Sequence, residues 1–292
     1  MNLDSIVAVS DFTAQSAHVL ERAALIARQH RIALRLVHLA GSRHTCLTNP
    51  LPRLGLRARQ LARRHEIAVH AMEQSASLER VLAEARESTL LVIGPLLQRH
   101  WARPHLGTVL DQVVRSGVCP MLVVRQAPVR PYQRVLVAID LSPGSKPLID
   151  FAQRFATPTV MKLFHAVDTI EGAPMRSVRI PLQAIQGNRA GSRLHARDRL
   201  SRLLGSLEGA PCMTQTHWLA MDVGHGDPAD SAALHQLATQ TELVVVGERH
   251  RSALARMFAG SVAQRLARWA AGDVLIAPLD QLRMTAPDVH CC

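Results

Sequence analysis

The stretch IVAVSDFT at Ile6–Thr13 returns 129 residues later as VLVAIDLS at Val135–Ser142. In both copies an apolar run, typical of a buried strand, ends at an aspartate, Asp11 or Asp140. A Ser or Thr follows, and behind it comes an apolar pattern with helical spacing, as expected where a polar side chain caps a helix. Because a recurring segment is the mark of an internal repeat, we interpret the pair as the opening strand and helix of two related halves.

Further pairs of segments extend the repeat along the chain. They are residues 34–39 with 161–166, 90–94 with 243–247, 107–109 with 260–262, and 121–124 with 274–277. The offset between the copies grows from 129 to 153 residues, a difference of 24. The second half therefore carries a net insertion, which falls mostly between Val167 and Leu219.

Domain boundaries follow from this repeat. We predict a first domain at 1–127, a linker at 128–133, a second domain at 134–280 with its insertion near 168–218, and a tail at 281–292. Pro128 and Pro131 stand in the linker, which suits a domain boundary. No apolar period continues beyond about Asp280, so we expect the last residues to form a loose tail.

Apolar strand-like runs alternate with amphipathic helical segments such as Ser16–His30 and Ser75–Arg86. This alternation predicts βαβ units and hence an α/β fold with two tandem, doubly wound parallel-sheet domains. Ligands of such sheets bind beyond the carboxyl ends of the strands, where the strand order reverses. Asp11, Asp140 and the glycines at positions 94 and 247 are all expected at such strand ends.

Composition excludes several classes of protein. The 292 residues carry a net charge of +11, which favours polyanionic ligands such as phosphates, but the basic residues do not form one run. An aromatic fraction of 3% argues against a reader of single-stranded nucleic acid that works by stacking. No long uncharged apolar run or secretory signal is found, so we expect a cytoplasmic protein without a membrane segment. The five cysteines are widely spaced, and they do not indicate a disulfide framework.

A glycine and a second glycine followed by Ser or Thr flank a loop in each half. After Gly247 comes a basic stretch, and Gly260–Val262 then opens a helix; Gly94 and Gly107–Thr108 are the first-half counterparts. Glycine lets backbone approach a ligand closely, and the start of a helix offers free N–H groups to a phosphate. Equally, glycine can simply end a strand, and Ser or Thr can cap a helix. Both interpretations stay open.

In this order, and twice, the motifs resemble the universal stress protein (UspA-type) family, and the whole chain resembles a tandem, UspE-like member of it. The resemblance covers about residues 4–125 and 134–278. It rests on the Asp-x-Ser/Thr openings at 11–13 and 140–142, the second-strand histidines His38 and His165, GHGDP at 224–228, LVVVG at 243–247 and CPMLVV at 119–124. It implies Rossmann-like, adenine nucleotide alpha hydrolase-like domains whose last strands join the two halves as a pseudo-dimer.

ATP-binding members of the family carry Gly-x2-Gly-x9-Gly-Ser/Thr. Both halves keep this spacing, but Leu97 and His250 stand in place of the second glycine. A side chain there can fill the space of a phosphate, and Pro95 removes an N–H donor in the first half. Arg249 and His250 could supply charge instead in the second half. The second half is therefore the better candidate for ATP or another adenine nucleotide, with Mg²⁺ accompanying it.

The resemblance, together with the basic residues Arg249 and His250 of the second-half loop, gives the candidate ligand-binding residues. In the second half they are Ala138, Asp140, Ala166, Val246, Gly247, Arg249, His250, Gly260, Ser261 and Val262. The second-choice set in the first half is Val9, Asp11, Leu39, Gly94, Gly107, Thr108 and Val109. The aspartates and strand-end residues would lie by the adenine or ribose, and the glycine and hydroxyl residues by the phosphates. The aspartates equally suit a capped turn.

Motifs for catalysis and for metal binding are not found in the sequence. It contains no nucleophile elbow, Walker lysine or HExxH, and the fifteen histidines do not show zinc-finger spacing. His38, His165 and Cys119 are expected to be packing residues. We therefore expect a stress-response binding and regulatory module, with protein partners or self-association, rather than an enzyme. The alternatives are a nucleotide-independent scaffold with degenerate loops, a weak ATPase and a nucleic-acid-associated protein.

Overall fold

A computed structural model describes residues 3–39, 50–95, 109–156, 160–167, 182–205, 217–249 and 261–284. The strands of the first half are β1 (Ser5–Ser10), β2 (Leu34–His38), β3 (Val69–Ala71), β4 (Thr89–Ile93) and β5 (Met121–Val123). Its helices are α1 (Ala14–His30), α2 (Pro50–His65), α3 (Leu78–Glu84) and α4 (Val109–Ser116).

The second half repeats this alternation. Its strands are β6 (Arg134–Ala138), β7 (Val160–Val167), β8 (His217–His225), β9 (Leu243–Glu248) and β10 (Asp273–Pro278). Its helices are α5 (Ser145–Phe155), α6 (Leu182–Gly205), α7 (Pro228–Ala238), α8 (Val262–Trp269) and α9 (Leu279–Met284). Helix α6 lies in the predicted insertion and buries Ala196 and Leu200. Among the described helices, none has both the length and the apolar character needed to cross a bilayer.

The described strands form one sheet in the order β3-β2-β1-β4-β5-β10-β9-β6-β7-β8. Neighbouring strands run parallel within each half, whereas β5 and β10 pair antiparallel with Leu122 opposite Leu275. The prediction of two tandem, doubly wound α/β units joined by their last strands is confirmed. Strand order reverses between β1 and β4 in the first half, and between β6 and β9 in the second. Both switch points open at the carboxyl ends of these strands.

Local sequence explains these elements. The central strands are largely apolar because both faces of the sheet are covered, and every residue of β10 is buried, including its first residue Asp273. Several helices begin at polar caps: the Thr13 hydroxyl accepts a hydrogen bond from the Ser16 N–H, and the Asp227 carboxylate accepts from the N–H groups of Ala229 and Asp230. Because β5 and β10 run antiparallel, the carboxyl ends of β1 and β4 lie at one edge of the sheet and those of β6 and β9 at the opposite edge.

A buried carboxylate fastens the linker between the halves. Asp273, the first residue of β10, is 0% exposed and accepts hydrogen bonds from the N–H of Arg125 (2.7 Å), the N–H of Gln126 (3.1 Å) and the hydroxyl of Tyr132 (2.5 Å). Arg22 of α1 balances its charge, with Nε 3.4 Å from Asp273 Oδ2 and the guanidinium carbon 3.9 Å from the Tyr132 ring centre. The linker is therefore held against both halves.

The segment after β10 differs from the expected loose tail. Helix α9 buries Leu279 and Leu282 in the core. The Gln281 amide donates to the carbonyl oxygens of Gly117 (2.7 Å) and Val118 (2.9 Å), so the helix also contacts the first half. The tail prediction is wrong for this segment because tertiary contacts, and not a local apolar period, hold the helix.

Candidate functional site

A cavity of about 310 Å³ opens at the switch point of the second half, beyond the carboxyl ends of β6 and β9. Its walls come from both strands, from β7, and from the starts of α5, α7, α8 and α9. The lining residues are Ala138, Ile139, Asp140, Gly144, Ser145, Leu148, Phe164, His165, Ala166, Pro228, Val246, Gly247, Glu248, Arg249, Ser261, Val262 and Leu279. The cavity therefore lies where ligands bind in open α/β sheets.

Asp140 organises the turn on the β6 side of the cavity. Its Oδ1 accepts hydrogen bonds from the N–H of Ser142 (3.0 Å) and the hydroxyl of Ser145 (3.3 Å). Leu141, between Asp140 and Ser142, has a φ of 56°, in the left-handed region that few residues with side chains adopt. Burial acts to raise the pKa of Asp140, but hydrogen bonds from Ser142 and Ser145 and the charge of Arg249 outweigh it and lower the pKa. The group is therefore a carboxylate at neutral pH, and 58% of its side chain is exposed.

Arg249 reaches across the cavity from the β9 side. One guanidinium nitrogen lies 3.1 Å from Asp140 Oδ2 and donates to the Ser142 hydroxyl. An arginine and a carboxylate thus face each other across the crevice between β6 and β9. Both groups could bind polar parts of a ligand, the carboxylate a hydroxyl and the guanidinium an anion.

Ser261 both lines the cavity and caps α8. Its hydroxyl accepts a hydrogen bond from the Gln264 N–H (3.1 Å), and the Gln264 side chain accepts one from the Ser261 N–H (3.0 Å). This capping box satisfies two donors, whereas the N–H groups of Val262 and Ala263 have no partner within the helix. The capping interpretation of Ser261 is therefore confirmed, and the start of α8 still presents a positive dipole end at the cavity.

The glycine that follows β4 and the glycine near the end of β9 are explained by packing. A Cβ built on Gly247 would lie 2.7 Å from Leu279 Cδ1, and one on Gly94 would lie 3.2 Å from Val19 Cγ2. Neither glycine has a positive φ. Gly247 borders the cavity. The space that a side chain at this position would need is filled by Leu279 of α9. Gly247 is therefore needed for the close contact with Leu279, and its approach to a ligand stays a prediction.

The GHGDP motif at 224–228 contributes Pro228 to the wall of the cavity. A Cβ on Gly224 would lie 2.6 Å from the Phe164 ring, so the absence of a side chain lets that ring pack there. Gly226 has a φ of 102°, which favours glycine. Asp227 caps α7 and also accepts a hydrogen bond from Arg265 (2.5 Å). The motif fixes Pro228 against the cavity.

The structure brings together all the described residues of the second-half set. Ala138, Asp140, Ala166, Val246, Gly247, Arg249, Ser261 and Val262 line the same cavity. His250 and Gly260 lie outside the described residues. These eight positions were chosen from separate segments of the sequence, and they line one cavity. This cavity is therefore the candidate ligand site.

The first-half set is arranged differently. Val9 and Leu39 are each 1% exposed, Asp11 is 7% exposed, and Gly94 is buried. Asp11 Oδ1 already accepts two hydrogen bonds from Thr13, one from its N–H and one from its hydroxyl. These residues are therefore packed by their own neighbours. Val109 opens α4, and Gly107 and Thr108 lie outside the described residues, as does Leu97.

Sequence reasoning missed part of the second-half cavity wall. The missed residues are Ile139, Gly144, Ser145, Leu148, Phe164, His165, Pro228, Glu248 and Leu279. Ser145 could have been found, since it matches Ser16 in the repeat and follows an Asp-x-Ser turn. Leu279 carries no signal, because only the fold of α9 brings it to the cavity. His165 was expected to be a packing residue, yet it borders the cavity while its Nδ1 lies 2.9 Å from the Ile139 carbonyl oxygen.

Two other predicted packing residues are buried. Burial raises the pKa of the Cys119 thiol to about 12, so that thiol is protonated and unreactive at neutral pH. His38 Nδ1 lies 2.8 Å from the Ser75 hydroxyl, and burial lowers the pKa of His38 although the charge of Asp11 opposes this. The described residues contain no group of three or more His, Cys, Asp or Glu side chains that could hold a metal ion.

Comparisons with known proteins agree with the fold. The sequence model of the Universal stress protein family matches residues 131–278, just over half of the chain. A universal stress protein of Mycobacterium tuberculosis is 27% identical over 301 aligned residues, which cover 94% of this chain and 96% of that protein.

Solved structures show the same architecture over nearly the whole chain. A universal stress protein from Archaeoglobus fulgidus superposes with a TM-score of 0.58 at 13% identity, covering 94% of this chain and 98% of its own. A protein of unknown function from Pseudomonas aeruginosa gives 0.59 at 18% identity, covering 97% and 95%. At such identities these likenesses concern the fold alone, and the family follows from the sequence match: this chain belongs to the universal stress protein family.

Proposed function

We propose that this chain is a tandem, UspE-like universal stress protein that binds an adenine nucleotide, such as ATP, in the cavity of its second half. One observation carries the proposal: the eight described residues selected from the repeat and the family motifs line one cavity at the switch point. At about 310 Å³ the cavity lies at the lower end of the range typical of small-molecule sites.

The chemistry of the walls supports a nucleotide. Phe164, Val246 and Ala166 offer apolar surface for a base. The ionised Asp140 can accept hydrogen bonds from ribose hydroxyls. Arg249 and the start of α8 supply positive charge for phosphates, and Mg²⁺ would accompany those phosphates.

In this proposal the protein is a cytoplasmic regulatory module, with weak ATPase activity at most. Nucleotide occupancy would alter its affinity for a protein partner or for a second copy of the chain during stress. A ligand can exert such control only if it binds two states of the protein with different affinities. The contact of α9 with both the cavity and the first half offers one route, since Leu279 lines the cavity while Gln281 binds Gly117 and Val118.

The test is whether a nucleotide accompanies the purified protein and whether the empty protein binds one. The protein is denatured, its supernatant is analysed by ion-pair chromatography and mass spectrometry, and the emptied protein is titrated with Mg-ATP by calorimetry. Ala166→Leu should abolish both retention and binding, because it places in the cavity the side chain that stands at Leu39 in the first half.

Ala62→Leu on α2 is the matched control, because it adds the same atoms at a half-buried position outside the cavity. It should leave binding unchanged. Unliganded protein with no heat of binding at millimolar ATP would contradict the nucleotide proposal and favour the nucleotide-independent scaffold.

A further inference from the structure

Arg249 is the feature of the second-half cavity that the family motif does not explain. It follows β9 directly and pairs with Asp140, which lies two residues beyond the end of β6. The same guanidinium nitrogen donates to the Ser142 hydroxyl. The side chain thus bridges the two strands whose separation forms the switch point, and it occupies the carboxylate that a ribose would need.

This bridge is weak enough to be exchanged. The Arg249 side chain is one-third exposed and that of Asp140 more than half exposed, and ion pairs in such surroundings contribute little to stability. A phosphate group offers an arginine two parallel, charge-assisted hydrogen bonds, which are stronger than its bond to one carboxylate oxygen. A ligand phosphate is therefore a better partner for the guanidinium than Asp140 is.

The arginine also has an unused donor. Its Nε–H is buried and has no hydrogen-bond partner among the described residues. A buried donor without a partner is costly, and an anion entering the cavity would satisfy it. This atom is a second observation, independent of the ion pair, that points to an acceptor arriving from outside.

Among its described residues, the first half shows no such bridge. At the offset of 153 residues, Leu96 corresponds to Arg249, and Asp11 receives its hydrogen bonds from Thr13 instead. The bridge is therefore a property of the second half and not of the repeat.

We infer that Arg249 selects phosphorylated ligands over bare nucleosides by exchanging partners. Without ligand it bridges to Asp140 and Ser142 and closes the crevice. A phosphate captures the guanidinium, and Asp140 is released to bind a ligand hydroxyl. A nucleoside must break the same bridge without replacing it. This inference rests on the proposed nucleotide site, and it defines the ligand class as nucleoside phosphates.

Calorimetric titration of wild type and Arg249→Met with ATP and with adenosine, at one ionic strength, tests the inference. In Arg249→Met we expect the affinity for ATP to fall about ten- to hundredfold, as for loss of hydrogen bonds between charged groups. The affinity for adenosine should rise about two- to fivefold, because the bridge no longer competes. Arg249→Lys should recover part of the ATP affinity, since it restores charge without the paired donors.

Arg80→Met is the matched control, since Arg80 forms an exposed ion pair with Glu84 on α3, away from the cavity. It should leave both affinities unchanged. If wild type binds ATP but Arg249→Met loses ATP and adenosine by the same factor, or changes neither, the exchange is contradicted while the nucleotide site stands. If wild type binds neither ligand, the nucleotide site itself is wrong and the exchange fails with it.

Discussion

The two switch points are built on the same turn but differ in what fills them. At both, an aspartate follows the first strand, the next residue adopts a left-handed φ (59° at Phe12, 56° at Leu141), and a Ser or Thr donates to the carboxylate. In the first half, Val9 and Leu39 close the strand ends, whereas Ala138 and Ala166 occupy the same repeat positions in the second. The turn is thus part of the fold, and among the described residues the buried Val9 and Leu39 stand where the second half has smaller side chains lining a cavity.

A second asymmetry lies at the junction, where the offset of 153 pairs the buried Asp273 of β10 with Pro120 before β5. We expect Asp273→Ala to lower the free energy of unfolding by about 3–5 kcal/mol, because it leaves the buried Arg22 unpaired and frees the N–H groups of Arg125 and Gln126. Urea unfolding measures this.

The control for that comparison is Asp198→Ala, which breaks an exposed ion pair with Arg202 on α6 and should cost less than about 1 kcal/mol. Equal losses for the two variants would show that the junction does not depend on the buried carboxylate.

The next effect concerns the filled switch point. Leu39→Ala removes a fully buried side chain and should cost about 2–5 kcal/mol, whereas Ala166→Leu adds atoms where a cavity already exists and should cost much less. Paired chemical denaturation curves give both values. If Ala166→Leu lowers the free energy of unfolding as much as Leu39→Ala does, Ala166 is as tightly packed as Leu39.

The equivalent glycines give a smaller contrast. Gly247→Ala should cost about 1–3 kcal/mol because its new Cβ would meet Leu279 at 2.7 Å, and Gly94→Ala should cost less because Val19 lies at 3.2 Å. Thermal and urea unfolding of both variants compare them. In a double-mutant cycle, Leu279→Ala should reduce the cost of Gly247→Ala, since the two changes share one contact. If the two losses in unfolding free energy simply add, the strain in Gly247→Ala does not come from the contact with Leu279.

The smallest effect is a pH dependence that arises at His38 in the first half. Burial lowers the pKa of His38 below 6.5, so the unfolded chain takes up this proton before the folded chain does. Stability from this group is present above pH 6.5 and is lost as the pH falls through 6.5 toward the folded pKa. His38→Gln should flatten the decline in unfolding free energy between pH 7 and 5 by about 1 kcal/mol or less. An unchanged slope would exclude His38 as a source of acid sensitivity.

Much of the fold could be predicted from sequence because its signals are local. The strands around Val7, Val92 and Val245 are continuously apolar, and Asp11 and Asp140 mark the ends of equivalent strands. The second-half site was also accessible, since its residues follow strand ends that parallel pairing brings together.

What sequence could not predict depends on distant contacts. Arg22 and Asp273 meet across 251 positions, and Leu279 reaches the cavity only because α9 folds back over Gly247. The partner of Arg249 was hidden for the same reason: its proximity to Asp140 follows from the pairing of β6 with β9, 109 positions apart in the chain.

The central claim is that the second switch point holds a nucleotide and the first does not. The most direct measurement is the calorimetric stoichiometry of Mg-ATP binding to wild type and to a variant that combines Ala138→Val with Ala166→Leu, which copies the strand-end residues of the first half. We predict one ATP per chain for wild type and none for the variant. Two per chain, none, or unaltered binding by the variant would contradict the claim.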